Sequence, residues 1–209
     1  MFIDRAGLPF IGAAVLLALI VGLWLGRGWS VPFLVLAAFF VFFFRDPDRT
    51  TPAGENIVVS PADARIMAVG PFPGKGAPPG EWHWISMFLS PMDVHVNRTS
   101  VTGVVTRVEY HPGRFLPAYR QEAGELNEWT EVWFDTARGP VVQRQIVGIL
   151  ARRIVNRLKV GDRVVAGQRY GVMKFGSRID MFLPLKATIS VKVGEKVVGG
   201  ETKIATLEP

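Results

Sequence analysis

The stretch "KFGSRIDMFLP", residues 174–184, raises the question on which the interpretation of this sequence depends. Its branched and aromatic residues predict a β-strand, yet the pair Gly176-Ser177 stands inside it. Glycine is rare inside strands, because it adds backbone entropy to the unfolded chain and packs no side chain against its neighbours. A bulge or a tight bend is the simplest interpretation, and the surrounding sequence decides whether the pair has a further role.

The N-terminal part of the chain is strongly apolar. Residues 8–25 and 28–44 are runs without a charge, and Arg27 alone separates them. Each run approaches the ~20 residues that a helix needs to cross the ~30 Å hydrocarbon layer. Two such runs predict a transmembrane helical hairpin over residues 1–44 rather than a cleaved signal peptide. A hairpin buried in a soluble core is disfavoured, because residues 33–44, "FLVLAAFFVFFF", are apolar on every face.

The charges that flank the two runs predict an orientation. Arg5 precedes the first run and Arg45 and Arg49 follow the second, whereas Arg27 lies in the connecting loop. Cytoplasmic loops of membrane proteins are enriched in Lys and Arg, so both ends of the hairpin are expected on the cytoplasmic side. The absence of cysteine fits a reducing compartment. We therefore expect residues 45–209 to form a cytoplasmic domain held at the cell (inner or plasma) membrane.

The whole chain is basic, with a formal net charge of +6. A basic domain beside a bilayer favours anionic lipid headgroups, which are therefore expected partners. Nucleic acid also attracts basic proteins, but the sequence has no Lys/Arg-rich helix and no nucleic-acid motif, so nucleic acid is not expected as a partner.

Beyond residue 45 the apolar runs are short and β-branched and Gly and Pro recur, which predicts a mainly β domain. Within it, "KVGDRVVAGQ" (159–168) and "KVGEKVVGGE" (192–201) match in pattern. Such paired units resemble the hammerhead half-barrels of lipoyl and biotinyl carrier domains. A membrane-anchored carrier or adaptor module without self-cleavage is therefore an alternative function. A carrier presents a lysine at an exposed hairpin tip, and neither Lys174 nor Lys186 lies in a convincing one.

Five motifs occur in order along the chain, and together with the hairpin they are highly specific. The motifs are "FFRDPDR" (43–49), "SPADARI" (60–66), "FLSPMDVHVNR" (88–98), "YHPGRF" (110–115) and "FGSRIDMFLP" (175–184). Jointly they resemble phosphatidylserine decarboxylase proenzymes, specifically the short, archaeal-type branch that is also found in bacteria, over nearly the whole sequence.

The resemblance implies a role for the Gly-Ser pair. In this family the proenzyme cuts itself at this motif: the Ser177 hydroxyl attacks the carbonyl carbon of Gly176, and β-elimination follows. The products are a chain of residues 1–176 and a chain of residues 177–209 capped by a pyruvoyl group, which stay together as a heterodimer. The pyruvoyl group serves instead of pyridoxal phosphate or a metal. It forms a Schiff base with phosphatidylserine, which loses carbon dioxide to give phosphatidylethanolamine.

The resemblance also implies roles for two other residues. His95, in "SPMDVHVNR", is the candidate acid that protonates the carbanion or handles the substrate carboxylate. Asp63, in "SPADA", matches the acidic residue of the self-cleavage relay. Without the motifs, a lone histidine in a β domain and an aspartate after Ser-Pro are more often structural.

Three positions depart from the family pattern. The longer-branch enzymes have a second relay histidine three residues after the first, where this chain has Arg98. Arginine is a poor base that can instead bind a carboxylate or phosphate, so His95 or His111 is expected to replace the relay histidine. Arg98 and His111 are also expected to bind the substrate. In addition, Ala64 replaces a usual glycine, and Arg178 rather than a small residue follows the serine. A non-catalytic lipid-binding relative that has lost self-processing is a further alternative.

Overall fold

The computed structural model describes residues 2–54, 56–72, 76–149, 154–174 and 176–209. It divides into two compact units, Met1–Asp48 and Arg49–Pro209. The first unit is helical, and the second is mainly β. This composition confirms the predicted fold class.

The N-terminal unit is a helical hairpin with a short antiparallel β-pair at its open end. Its elements are β1 (Phe2–Ile3), a 3-10 turn (Arg5–Gly7), α1 (Leu8–Leu25), a second 3-10 turn (Arg27–Ser30), α2 (Val31–Phe43) and β2 (Arg45–Asp46).

The second helix begins three residues later than the apolar run suggested. Pro32 fits the first turn of a helix, where its missing N–H leaves no helical hydrogen bond unmade, and α2 accordingly starts at Val31. The segment Arg5–Leu25 is long and apolar enough to cross a membrane, whereas the apolar segment Arg27–Phe43 is shorter. Many apolar side chains of both helices are exposed, as expected for helices that lie in lipid.

The second unit contains the remaining strands and one short helix. In chain order these are β3 (Ile57–Val59), β4 (Ala64–Gly70), β5 (Trp82–Leu89), β6 (Val96–Arg98), β7 (Gly103–His111), α3 (Ala123–Leu126), β8 (Trp129–Thr136), β9 (Gly139–Ile146), β10 (Ile154–Asn156), β11 (Arg163–Val164), β12 (Arg169–Met173), β13 (Ser177–Pro184), β14 (Thr188–Ile189), β15 (Lys196–Val197) and β16 (Lys203–Thr206).

An antiparallel eight-stranded sheet, curled as a half-barrel, organises this unit. Its strand order is β11-β7-β8-β9-β13-β5-β4-β15, and two three-stranded sheets have the orders β10-β12-β6 and β14-β16-β3. The stretch that opens the sequence analysis forms β13, near the centre of the large sheet. Alternate residues of β13, namely Ile179, Met181 and Leu183, face the main hydrophobic core.

The two repeat segments lie at opposite edges of the large sheet, where β11 pairs with β7 and β15 pairs with β4. Equivalent hydrogen bonds hold them: Gly161 N–H donates to the Val105 carbonyl at 2.8 Å, and Gly194 N–H donates to the Ile66 carbonyl at 2.9 Å. Both glycines have a positive φ, 92° and 91°, which an L side chain rarely adopts. The repeat therefore has a structural role, because each copy covers one edge of the sheet.

Candidate active site

Ser177 is the first residue of β13, so the Gly-Ser pair stands at the end of the strand rather than inside it. Ser177 pairs with Leu89 of β5. Gly176, immediately before it, has a φ of +69°, a conformation that glycine adopts at little cost. The backbone therefore bends at Gly176, as the simplest interpretation of the sequence suggested, and the bend falls on the bond that the resemblance marks for cleavage.

The Ser177 hydroxyl is an isolated polar group. The residue is 0% exposed, and its Oγ has no hydrogen-bond partner in the described part of the chain. A buried hydroxyl without a partner destabilises a fold by about 1–3 kcal/mol. Such a group in a well-packed strand calls for a functional reason, and a side chain that is converted chemically after folding is one.

The carbonyl of Gly176 lies against another glycine. Gly148, just beyond β9, approaches the Gly176 carbonyl oxygen so closely that a methyl group at position 148 would overlap it. Glycine at a strand end often marks a close approach of two backbones, as it does here. The sequence analysis missed Gly148, although a glycine within the apolar run "QIVGIL" was an available signal.

Side-chain contacts connect β9 with β6 and with the residues that follow β6. The Ser100 hydroxyl is 3.1 Å from Gln143 Oε1, and Gln145 Nε2 donates to Asn97 Oδ1 at 2.7 Å. His95 precedes Asn97 by two residues, just before the start of β6.

A backbone hydrogen bond connects His95 with the strand that precedes the Gly-Ser pair in the chain. Met173 N–H, at the end of β12, donates to the His95 carbonyl at 3.2 Å, and Ser177 follows Met173 by four residues.

His95 itself is buried, at 0% exposure. Its Nδ1 lies 3.0 Å from the carbonyl oxygen of Asp93, a distance at which a proton on Nδ1 is donated to that carbonyl. With the proton on Nδ1, Nε2 is the nitrogen that accepts a proton. A buried imidazole fixed in this way can act as a base or, once protonated, as an acid.

A buried amide pair connects β6 with β9. Asn97 and Gln145 hydrogen-bond to each other and are 0% exposed. The remaining atoms of the two amides, Asn97 Nδ2 and Gln145 Oε1, have no hydrogen-bond partner in the described residues, so the pair leaves one unpaired donor and one unpaired acceptor in the core. The sequence analysis did not single out this pair. The signal available in the sequence was the spacing of two residues between His95 and Asn97, which in a strand places both side chains on one face.

Asp63 is held by partners outside this cluster. Its carboxylate accepts two hydrogen bonds from Arg49, at 2.8 and 3.0 Å, and one from Gly199 N–H at 2.8 Å. In the described part of the chain it makes no hydrogen bond to Ser177. The structure thus places Asp63 at the glycine turn of the second repeat.

Arg98 lies near the glycine turns of both repeats. Its guanidinium donates to the Gly167 carbonyl at 3.0 Å, and a methyl group at position 200 would lie 2.8 Å from its Cδ. Gln143 Nε2 donates to the Arg98 carbonyl at 3.1 Å. Arg98 is buried, so in this structure its donors serve the protein's own backbone.

His111 is remote from Ser177. It is exposed on β7 and stacks on Trp129, with ring centroids 4.8 Å apart. Two strands, β8 and β9, lie between β7 and β13. Three strand spacings amount to about 14 Å, so the structure does not bring His111 to the Gly-Ser bond. Of the two candidates for the missing relay histidine, His95 is the one that is buried and bonded to β12, which ends shortly before the Gly-Ser pair.

Arg178, a further departure from the family pattern, points away from Ser177, because successive side chains of a strand alternate between faces. It forms a bidentate pair with Asp180, with nitrogen–oxygen distances of 2.7 and 2.6 Å. Both residues are almost fully buried on the outer face of the sheet. The guanidinium also lies over the ring of Trp84, at 5.5 Å from the centroid.

Comparison with known proteins gives a consistent result. Residues 36–205 match the sequence profile of the family described as Phosphatidylserine decarboxylase. This match includes both the Gly-Ser bond and the repeat segments.

Curated proteins named phosphatidylserine decarboxylase proenzyme align with almost the whole chain. The protein from Burkholderia multivorans is 43% identical over 211 residues, which cover 99% of this chain and 96% of the relative. Those from Ralstonia nicotianae and Burkholderia ambifaria are 42% and 43% identical over the same shares.

Proposed function

Because this chain belongs to the phosphatidylserine decarboxylase family, we propose that it is a proenzyme that cuts itself at Gly176-Ser177 and then converts phosphatidylserine to phosphatidylethanolamine and carbon dioxide. One observation carries the proposal: the buried Ser177 hydroxyl has no partner in the described residues and stands beside the bent Gly176 backbone. The products are chains of residues 1–176 and 177–209, which stay associated through the β-sheet.

The cleavage chemistry uses atoms of the Gly-Ser bond itself. Ser177 Oγ attacks the Gly176 carbonyl carbon and loses its proton, while the amide nitrogen of Ser177 gains one, so that an ester replaces the amide. Removal of the Ser177 α-proton then breaks the Cβ–Oγ bond and releases Gly176 as a carboxylate. The dehydroalanine that is left takes up water and releases ammonia, which yields the pyruvoyl cap.

Each step requires that a proton be moved at a buried position. His95 is the proposed base and acid, since it is buried, its Nδ1 lies 3.0 Å from the Asp93 carbonyl and its own carbonyl accepts from Met173 on β12. Gly148 holds no side chain against the Gly176 carbonyl and so leaves it open to attack. Asp63 remains the proposed carboxylate of self-cleavage by its match to the family motif, although its hydrogen bonds in this structure go to Arg49 and Gly199.

The residues around Ser177 fit a pyruvoyl group, since a partnerless, fully buried side chain can be replaced by a carbonyl without loss of a hydrogen bond. This group supplies an electrophilic carbonyl that condenses with the substrate amine and accepts the electrons released as carbon dioxide leaves. His95 then delivers the proton to the substrate α-carbon.

The proposed substrate is a lipid, and the chain has an apolar N-terminal helix that could anchor it in a membrane. Withdrawing a phospholipid into water costs about 0.8 kcal/mol for each exposed methylene. We therefore propose that the enzyme acts at the cell membrane, with its catalytic domain on the cytoplasmic side because of the flanking arginines. Anionic lipids are the proposed surroundings of this basic domain.

The test is an activity assay on full-length protein purified in detergent. With phosphatidylserine in mixed micelles, we expect the unaltered protein to form phosphatidylethanolamine and carbon dioxide in equal amounts and Ser177→Ala to form neither. Equal rates for the two proteins, or no product from either, would contradict the proposal. A carrier or adaptor module would give the second result, and so would a lipid-binding relative without self-processing.

A further inference from the structure

The buried amides of Gln143 and Gln145, two residues apart on β9, differ in how their atoms are paired. Gln143 is fully paired: its Oε1 accepts from the Ser100 hydroxyl, and its Nε2 donates to a backbone carbonyl and to the Tyr170 hydroxyl. Gln145 shares one hydrogen bond with Asn97, and Gln145 Oε1 and Asn97 Nδ2 have no partner within the described residues, although both residues are 0% exposed. Buried polar groups are nearly always paired, so this leftover donor and acceptor point to a ligand.

The register of β9 and β13 places Gln145 beside Ser177. Gln145 is opposite Ile179, whose side chain belongs to the main core on the inner face of the sheet. Ser177 precedes Ile179 by two residues, so its side chain lies on the same face. Diagonal neighbours of this kind in an antiparallel sheet are about 7–8 Å apart, a distance that a long side chain can span. Any substrate that reaches position 177 therefore enters the buried region that contains the amide pair.

The chemistry of the two unpaired atoms suggests which part of the substrate they meet. The serine headgroup carries its amine and its carboxylate on one carbon atom, so a hydrogen-bond donor and an acceptor are adjacent in it. One amide N–H and one amide oxygen, on two side chains that are bonded to each other, are complementary to that arrangement. Because the amine is the group that reacts at position 177, the carboxylate is held only a few bonds from that position.

The two amides are neutral, which suits a carboxylate that is lost in the reaction. A cation such as arginine would stabilise the bound carboxylate strongly, and that stabilisation would disappear as the charge leaves with carbon dioxide. Interactions that are stronger with the substrate than with the transition state slow a reaction. A single amide N–H orients the carboxylate with a smaller loss of this kind.

We propose that Asn97 and Gln145 recognise the amino-acid part of the substrate headgroup. Asn97 Nδ2 donates to the carboxylate, and Gln145 Oε1 accepts from the adjacent amine nitrogen. The product headgroup, ethanolamine, keeps the amine and lacks the carboxylate, so it makes only one of the two hydrogen bonds. This assignment rests on the proposed function for the identity of the ligand, but it can be tested without catalysis.

The experiment is calorimetric titration of full-length protein in detergent with dihexanoyl phosphatidylserine and dihexanoyl phosphatidylethanolamine, two soluble probes that differ only in the carboxylate. The protein is first treated with borohydride, which reduces a pyruvoyl carbonyl and so prevents consumption of the probe. The variant combines Asn97→Leu with Gln145→Met, since removal of one amide alone leaves the other buried without a partner. Ser100→Ala is the matched control, because it deletes a donor to the fully paired amide of Gln143.

We expect the unaltered protein and Ser100→Ala to bind the serine lipid about tenfold more tightly than the ethanolamine lipid, the scale of one hydrogen bond to a charged group. The double variant should bind the two lipids equally. It should melt no lower than the unaltered protein, because two unpaired polar atoms are replaced by apolar groups of similar shape, whereas Ser100→Ala should melt lower. No serine preference in the unaltered protein, a preference that the double variant retains, or one that Ser100→Ala loses overturns the assignment.

KM and chain mass separate this assignment from the proposed function. The proposed cleavage steps use neither amide, so the double variant should be cut at Gly176-Ser177 and should show a raised KM for phosphatidylserine. If the double variant loses the serine preference but no protein is cut or decarboxylates phosphatidylserine, the proposed function fails and the headgroup site stands. If decarboxylation is observed and the double variant retains the unaltered KM and preference, the site assignment alone fails.

Discussion

The two repeat segments have nearly the same backbone and different polar side chains. Gly167 N–H donates to the Thr99 carbonyl and Gly200 N–H to the Ser60 carbonyl, both at 2.8 Å. One residue earlier, Ala166 N–H in the first copy and Gly199 N–H in the second copy each donate a hydrogen bond to a side chain. The backbone hydrogen bonds that recur in both copies therefore have a structural role.

The two copies differ in the side chain that accepts the hydrogen bond from Ala166 N–H or Gly199 N–H. In the first copy it is the hydroxyl of Thr102, at 3.1 Å, and in the second it is the carboxylate of Asp63, at 2.8 Å. Asp63 thus occupies a structural position that a neutral residue fills elsewhere in the same domain. Unlike Thr102, Asp63 carries a negative charge and forms a salt bridge with Arg49. Function must be sought in such differences and in residues outside the repeats.

The largest expected effect concerns a residue that has no counterpart in the repeats. Ser177→Ala should leave the chain uncut and abolish decarboxylation, because both the nucleophile and the source of the carbonyl are lost. The deleted hydroxyl has no partner in the described structure, so the melting temperature should be unchanged or higher. Electrophoresis, product assay and thermal unfolding measure the three effects, and two chains from the variant would disprove the cleavage assignment.

His95 should give the next largest effect. His95→Ala should lower decarboxylation by roughly 10²-fold or more, the usual scale for a general acid. If His95 also replaces the relay histidine, cleavage will slow as well, and a time course of chain separation after synthesis measures this. The control is His83→Ala, since His83 is a partly exposed residue near the other end of β5, beside the carbonyl of Leu185. Equal turnover by the two variants would remove His95 from the chemistry.

The equivalence of Asp63 and Thr102 provides a matched pair of variants. Asp63→Ala and Thr102→Ala each remove the acceptor of one turn N–H, which should destabilise the fold by about 1 kcal/mol, and Asp63→Ala should destabilise it further because it also removes the pair with Arg49. Only Asp63→Ala should also slow self-cleavage, if the carboxylate takes part in it. Cleavage rates and urea unfolding of both variants test this, and normal cleavage in Asp63→Ala would reduce Asp63 to the structural role of Thr102.

The smallest effect is expected from substitution of the turn glycines, and it should be the same in both copies of the repeat. Gly161→Ala and Gly194→Ala each place a methyl group in open space, but at φ near +90°. Each should lower the free energy of unfolding by about 1–2 kcal/mol through backbone strain alone, without altering turnover per folded molecule. Urea unfolding measures both. A clear inequality between the two would show that the copies are not structurally equivalent.

The sequence predicted those parts of the molecule that depend on local patterning. Short β-branched runs indicated a mainly β domain, and the two apolar runs indicated the hairpin. The sequence pattern of the repeats indicated a shared structure, which their turn glycines and hydrogen bonds confirm. The branch assignment, the cleavage and the residue roles stay predictions that rest on the resemblance.

What could not be predicted depends on contacts between distant segments. Alternating charges such as Arg178 and Asp180 usually indicate a solvent-exposed face, yet both are buried here. The segment around α3 covers them, and a methyl group at Gly124 would lie 3.1 Å from Arg178 Nη2. The approach of Gly148 to Gly176 likewise follows from strand register, which a single sequence does not specify.

The most direct test of the account is the intact mass of the purified full-length protein. The account predicts two species, residues 1–176 and residues 177–209, with the shorter one carrying a pyruvoyl group in place of its N-terminal serine. Borohydride reduction should then raise the mass of the shorter chain only. A single unprocessed chain of 209 residues, or a fragment that begins with unmodified Ser177, would contradict the central claim.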